Sequence, residues 1–143
     1  MDKDHMELKI DCIFCKIIRK EIPSLKVFED ENCLCIIPKD MEVYGHILII
    51  PKNHYTNIFD IKSKDLKNLI CIAQKLSLHF QKNLGATGIN LLHASGKDAG
   101  QSVEHFHFHV FPRFKNDNLD TWPKLPSNNF DKKEVLKKLL LMD

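Results

Sequence analysis

Arginine is almost missing from this chain: of its 21 basic residues, only Arg19 and Arg113 are arginines. With a net charge of +2 and both signs interspersed, no dense basic face is available to track a phosphate backbone. A small ligand is therefore expected, and no nucleic acid. Long hydrophobic runs are missing too. The longest aliphatic stretch, Ile47 to Ile50, is far too short to span a bilayer, and Met1-Asp2-Lys3-Asp4-His5 lacks the apolar core of a signal peptide. The expectation is a cytoplasmic protein with no membrane partner. Five cysteines, an odd number, argue against a disulfide framework and leave metal binding or burial. The remaining composition, 43% hydrophobic and 28% charged over 143 residues, excludes disorder and suits one domain with a real core.

Along that domain, Cys12 to Arg19 has the spacing of a short helix, broken by Ile22-Pro23-Ser24. Three strands are predicted next, at Lys26–Glu29, Cys33–Ile37 and His46–Ile50, each short, aliphatic and bounded by turn residues. From Ser63, read as an N-cap, apolar residues recur at helical spacing through Phe80, until Asn83-Leu84-Gly85 ends the one long helix. Gly88–Leu92 reads as a strand, Ser95–Gln101 as a glycine-containing loop and Val103–Phe111 as a final strand. The expected organisation is a polar leader over 1–10, a domain over 11–114, and a C-terminal loop and helix over 115–143 packed on the same domain. That helix carries Val135, Leu136, Leu139 and Leu140.

The final strand holds the strongest signal, His105-Phe106-His107-Phe108-His109-Val110-Phe111. Side chains that alternate with period two put the three imidazoles on one face, and Phe106, Phe108 and Val110 on a buried one. Each imidazole can be a base, a nucleophile or a metal ligand near pH 7. One metal can hardly hold all three. Residues i and i+4 of a strand lie roughly 13 Å apart, whereas nitrogens sharing a tetrahedral zinc approach to about 3.5 Å. The strand is therefore expected to divide its labour, with one imidazole serving a different site from the other two. Cys12-x-x-Cys15 offers that other site, since two thiolates on one turn are half of a structural zinc centre. A dithiol switch is the alternative, disfavoured because no clear strand precedes Cys12.

His54, after Pro51-Lys52-Asn53, is a candidate third ligand or a surface loop histidine. His46 could reach the histidine strand if the two pair. His5 and His79 are assigned no role, His93 stays open, and Cys33, Cys35 and Cys71 read as small buried hydrophobes. Gly96-Lys97-Asp98-Ala99-Gly100-Gln101-Ser102 is not a P-loop, having no Lys-Ser/Thr pair after its last glycine. Beside the histidines it is nevertheless expected to cradle an anion through successive backbone N–H groups, with Ser102 adding a hydroxyl.

These residues resemble the histidine triad (HIT) superfamily, whose His-φ-His-φ-His-φ-φ signature, φ being apolar, falls on His105 to Phe111. Asp11 to Ile18 resembles the family's entry segment, Gly45 to Lys52 its middle strand and Gly100 to Val103 its approach to the triad. The pattern is most similar to the Hint branch and its zinc-bearing prokaryotic members. The resemblance implies an α+β fold with a five-stranded antiparallel sheet, one long helix and short terminal helices, forming a homodimer. It implies attack by His107 on the α-phosphorus of a purine nucleotide conjugate, followed by release of the nucleoside monophosphate by water. In that scheme His109 polarises the phosphate oxygens, Ser102 and His46 support the site, and Gly100 and Gln101 contact substrate. Structural zinc would be held by Cys12, Cys15, His54 and His105, with no catalytic metal required. Two positions depart from the pattern. Pro38 stands where a ribose-binding acid or amide is usual, leaving Asp40 as the substitute, and Ala94 stands where a phosphate-contacting amide is usual. The implied activity is a phosphoramidase-like nucleotide hydrolase or nucleotidyl transferase. Its rivals are a nucleotide sensor with negligible turnover, a dinucleoside polyphosphate hydrolase, and a zinc hydrolase using several triad histidines as ligands.

Overall fold

The structure is a computed structural model that describes residue 9 and residues 11–141. His5 and all but one residue of the 1–10 leader lie outside the described residues. The chain runs α1 (Ile13–Ile18), β1 (Leu25–Glu29), β2 (Cys33–Ile37), β3 (Ile47–Pro51), α2 (Ser63–Leu84), β4 (Gly88–Leu92), a 3-10 turn (Lys97–Ala99), β5 (Phe108–Arg113) and α3 (Lys132–Leu139). The five strands form one antiparallel sheet in the order β1-β2-β3-β5-β4. The fold is α+β, as expected.

β2 and β3 read as continuous apolar runs because both of their faces are covered. On one face Cys33, Cys35, Ile47, Ile49, Phe106, Phe108 and Val110 pack under Leu69, Ile72, Ala73, Leu76 and Phe80 of α2. On the other, Leu34, Ile36, Leu48 and Ile50 meet Phe14 and Ile18 of α1. At about 25 cal/mol per Å² of apolar area, such double coverage makes the two central strands the rigid floor of the molecule.

Four local expectations are corrected. Ser63 is the first helical residue of α2, and the N-cap is Lys62, which makes no side-chain capping bond. Cys71 is exposed, because it falls on the outer side of α2. The final strand begins at Phe108, so His105 and His107 precede it and only His109 lies within it. The terminal helix is exposed along its length. None of its residues is buried, and Leu136 and Leu139 are 55% and 68% exposed. What does tie the C-terminal segment down is Arg113, which binds Asp117, the Leu119 carbonyl and Thr121, the last also donating to Asn90.

Gly45 positions the site directly. It has φ +81°, and a Cβ there would lie 2.7 Å from Pro112 Cγ, so only glycine lets β3 start alongside β5 at this point. The next residue is His46.

Candidate active site and metal centre

His46 is carried to the triad by the β3–β5 ladder, in which Leu48 pairs with His109. The Glu42 backbone N–H donates to His46 Nδ1 (3.2 Å), so a neutral His46 has its proton on Nε2. That Nε2–H points at His109 Nδ1, 2.9 Å away. His109 accepts there, and its own proton is left on Nε2. Edge contact with Phe111, at 4.5 Å between ring centroids, fixes the plane of His46.

His107 has the opposite tautomer. Its Nδ1 lies 2.7 Å from the carbonyl oxygen of His105, which can only accept, so the proton is on Nδ1 and Nε2 carries a lone pair. The His107 and His109 rings are 5.0 Å apart. One offers a nucleophilic nitrogen and its neighbour an N–H donor, the pairing needed to attack an electrophile while holding the oxygen on it. Phe14 of α1 packs edge-on against His107 at 5.2 Å and helps exclude water from it. Burial holds the ring neutral: it lowers the pKa of His107 and pushes His46 and His109 down to about 4.

The first triad histidine lies apart from the other two, with its ring against the thiols. Phe106 N–H donates to the Tyr55 carbonyl (2.7 Å), drawing the 54–55 segment alongside His105. His105 donates from Nε2 to the Pro51 carbonyl (2.9 Å), which turns its unprotonated Nδ1 toward the thiols. Nδ1 of His105 is 3.3 Å from Cys12 Sγ, 3.6 Å from Cys15 Sγ and 3.1 Å from His54 Nδ1, and His54 Nδ1 is 3.3 Å from Cys15 Sγ. The edges of a tetrahedral zinc site with bonds of about 2.0 and 2.3 Å are roughly 3.3 to 3.8 Å long. The four residues fit such an ion. Backbone N–H groups of Cys15 and Lys9 point at the Cys12 and Cys15 sulfurs, an outer shell that suits thiolates. Burial of the protein alone pushes the Cys15 thiol up to about 11, so a cation is what would deprotonate it. His54 makes the same point. Its Nε2 is buried without a hydrogen-bond partner, so the ring is oriented by what Nδ1 faces. Glu42, His46 and His109 are also close enough to share an ion, but there the Glu42 N–H occupies His46 Nδ1 and the His46–His109 pair is a direct hydrogen bond.

The expected substrate contacts are less uniform. Ser102 is exposed and lines a cleft of about 680 Å³ together with Cys12, His54, Asn57, Lys97 and Glu104. The cleft borders Cys12 and His54, and neither His107 nor His109 lines it. Asp40 is exposed in the turn after β2. Gln101 spends its amide internally: Nε2 donates to the Thr56 and Val103 carbonyls, and Oε1 accepts from Gly96 N–H. The N–H groups of Ala99, Gly100 and Gln101 also close the turn on themselves, so these amides do not form the anion cradle that the glycines suggested. Gln101 is a staple between two loops.

One residue left open on the sequence proves central. His93 stacks on Phe106 at 4.3 Å and donates from Nδ1 to the His107 carbonyl (2.9 Å). Its place just after a strand and before a glycine turn was visible in the sequence. Its partner was not, because the sequence does not say that the ladder stops one residue earlier. Among the described residues it is His93, and not position 94, that reaches the triad segment.

Known proteins place these features together. The HIT domain model matches residues 19–116. An uncharacterised HIT-like protein of Borreliella burgdorferi is 44% identical over 112 residues, covering 76% of this chain and 80% of that one. The adenosine 5′-monophosphoramidase HNT1 of Saccharomyces cerevisiae is 38% identical over 132 residues, covering 91% and 80%. A zinc-bound histidine triad family protein of Mycobacterium smegmatis has a similar structure, with a TM-score of 0.73 at 33% identity over 78% of this chain and 81% of that one. With its triad, its sheet and these likenesses in agreement, the chain belongs to the histidine triad (HIT) family.

Proposed function

We propose that the protein is a nucleotide hydrolase or nucleotidyl transferase that acts on purine nucleoside phosphoramidates or related conjugates through a covalent nucleotidyl-His107 intermediate. The observation that carries this reading is the pair of opposite tautomers on adjacent rings, with Nε2 of His107 a lone pair and Nε2 of His109 a donor. In the first step Nε2 of His107 forms a bond to the α-phosphorus and the bond from phosphorus to the amine breaks. The electron pair leaves with the amine, which takes up a proton. In the second, water adds to phosphorus and gives up a proton to solvent, the N–P bond breaks, and nucleoside 5′-monophosphate leaves as His107 regains its lone pair. His109 donates to a non-bridging oxygen throughout, and the exposed Ser102 hydroxyl is the proposed contact to the phosphate or leaving group, while the Gly100 N–H is spent on the Lys97 carbonyl. The likeness to a yeast adenosine 5′-monophosphoramidase supports this substrate class.

Cys12, Cys15, His54 and His105 would hold one structural zinc, which supplies a cross-link between α1, the 54–55 segment and the triad. Four protein donors leave no coordination position for water or substrate, so the chemistry falls to the imidazoles. The likeness to a zinc-bound family member supports the choice of metal. A homodimer through the free edge of β4 is supported by Leu91 there and by Ile70 on α2, both partly exposed. No described helix is long and apolar enough to cross a membrane, and a cytoplasmic location fits the substrate class.

The test is rapid acid quench with adenosine 5′-phosphoramidate labelled at phosphorus. Wild type should carry label on the protein within one turnover, and His107→Ala should carry none and turn over nothing. Turnover by His107→Ala near the wild-type rate removes the covalent route. Tight binding by wild type without turnover favours a nucleotide sensor.

A further inference from the structure

The segment that carries the nucleophile lies outside the regular ladder. β4 pairs with β5 from Gly88–Arg113 to Leu92–His109, and β5 begins only at Phe108. Beyond that point the carbonyls of His105 and His107 have no strand partner, yet this stretch is buried. Unpaired buried carbonyls are costly, so their partners decide where the chain sits. Both partners are imidazoles: the His105 carbonyl takes the His107 Nδ1–H, and the His107 carbonyl takes the His93 Nδ1–H. In effect the side chain of His93 extends β4 by one rung.

His93 can do this only as the Nδ1–H tautomer, and its surroundings impose that form. Nε2 lies 2.5 Å from Ser95 Oγ. Ser95 Oγ accepts the Ile58 N–H at 2.9 Å and so turns its single proton toward His93. The chain of donors runs Ile58 N–H to Ser95, Ser95 O–H to His93 and His93 N–H to the His107 carbonyl. Stacking on Phe106 holds the plane of the ring. Both nitrogens of His93 are spent, so it is free for neither proton transfer nor attack.

We infer that His93, set by Ser95, is a positioning residue that fixes the backbone at His107 and so aims the nucleophilic nitrogen. The inference rests on the proposed role of His107. A displacement of about 1 Å at a reacting group costs on the order of 100-fold in rate, whereas uniform loss of binding would appear in KM.

Asn and Leu have nearly the same shape, and only Asn can donate where His93 does. In the full-length, metal-loaded protein with adenosine 5′-phosphoramidate, His93→Leu should lower kcat roughly 10- to 100-fold with KM changed less than about threefold. His93→Asn should restore kcat to within about threefold of wild type. Equal kcat for the two variants, whether high or low, overturns the proposal. If His93→Leu does not fold, Ser95→Ala takes its place with the same kcat-directed loss expected, and wild-type kcat in that variant overturns it.

A second readout needs no substrate and separates this inference from the proposed reaction. Imidazole ¹⁵N spectra should place the His93 proton on Nδ1 in wild type and on a mixture of nitrogens in Ser95→Ala. The His107 Nδ1–H signal should shift in His93→Leu and return in His93→Asn. A wild-type His93 protonated at Nε2, or a His107 signal indifferent to both substitutions, overturns the positioning role. Correct spectra in an enzyme without phosphoramidase turnover would uphold the geometry and refute the proposed substrate.

Discussion

His46 Nε2 donates to His109 Nδ1 across 2.9 Å, and the direction of that bond is set four residues away, where the Glu42 N–H occupies the other nitrogen of His46. His46 needs no contact with substrate to matter. Removing it leaves both tautomers of His109 open, and Nε2 then carries a lone pair in place of a proton in part of the population.

His46→Leu should therefore lower kcat about 10- to 100-fold, the usual size of losing an outer-shell hydrogen bond that fixes a reactive ligand. His46→Gln, which can still donate, should recover part of it. The check is steady-state kinetics on adenosine 5′-phosphoramidate, and an undiminished kcat in His46→Leu would show that His109 needs no such partner.

The protein should contain about one zinc per chain, and Cys15→Ser should lose most of it. Mass spectrometry after purification without chelators reads the stoichiometry. Thermal unfolding should shift down on chelation by more than the chemical step slows, since a closed site contributes to folding and not to bond breaking. A folded, stable, metal-free wild type would contradict the assignment.

Acid should destabilise the fold over a defined window. His46 and His109 are 1% exposed and half-buried, and desolvation first, then the charges of neighbouring histidines, pushes both from near 6.5 to about 4, with Glu42 opposing the shift at His109. Below pH 6.5 the unfolded chain binds protons at these positions that the folded chain refuses until about pH 4. Their contribution is thus complete above pH 6.5 and is lost progressively as pH falls toward 4. The midpoint of thermal unfolding should drop across that interval, and His46→Leu should show a shallower drop than wild type. Parallel profiles for the two proteins would refute the account.

Discrimination for the ribose 2′-hydroxyl should be weak. Pro38 is half-buried at the end of β2 and offers no side-chain acceptor, and Asp40 is exposed. A site without a buried group built to pair with a hydroxyl loses little when the hydroxyl is missing. The 2′-deoxy form of the phosphoramidate should have kcat/KM within about tenfold of the ribose form. A preference of a hundredfold or more would point to another ribose-binding residue, and Asp40→Ala would be the first variant to make.

The sheet was legible in the sequence because it depends on local signals, whereas the proposed ligand set of Cys12, Cys15, His54 and His105 rests on the family resemblance, local spacing offering only the Cys12–Cys15 pair. Alternating or continuous apolar runs marked all five strands, and the spacing of Cys12 and Cys15, together with the reach of a single strand, divided the histidines between two sites. What stayed hidden depends on where a ladder stops. The sequence shows six alternating residues from His105 to Val110, and nothing in it says that pairing begins at Phe108. The role proposed for His93 follows from that missing rung, and the internal use of the Gln101 amide stays hidden because it reaches the Thr56 carbonyl 45 residues away. The terminal helix misled for a different reason. Val135, Leu136, Leu139 and Leu140 form an apolar stripe that ordinarily signals packing, but here every residue of the stripe is exposed.

His105 belongs to two circuits through two different parts of itself: its ring faces the thiols and its carbonyl takes the proton of His107. The two cannot drift apart independently in descent. A lineage that gave up Cys12 and Cys15 would have to re-anchor residue 105 by other means before it could keep the neighbouring nitrogen in aim. Exchanges at the thiol positions should accordingly travel with exchanges around His54 and Pro51, while the second and third histidines stay unchanged.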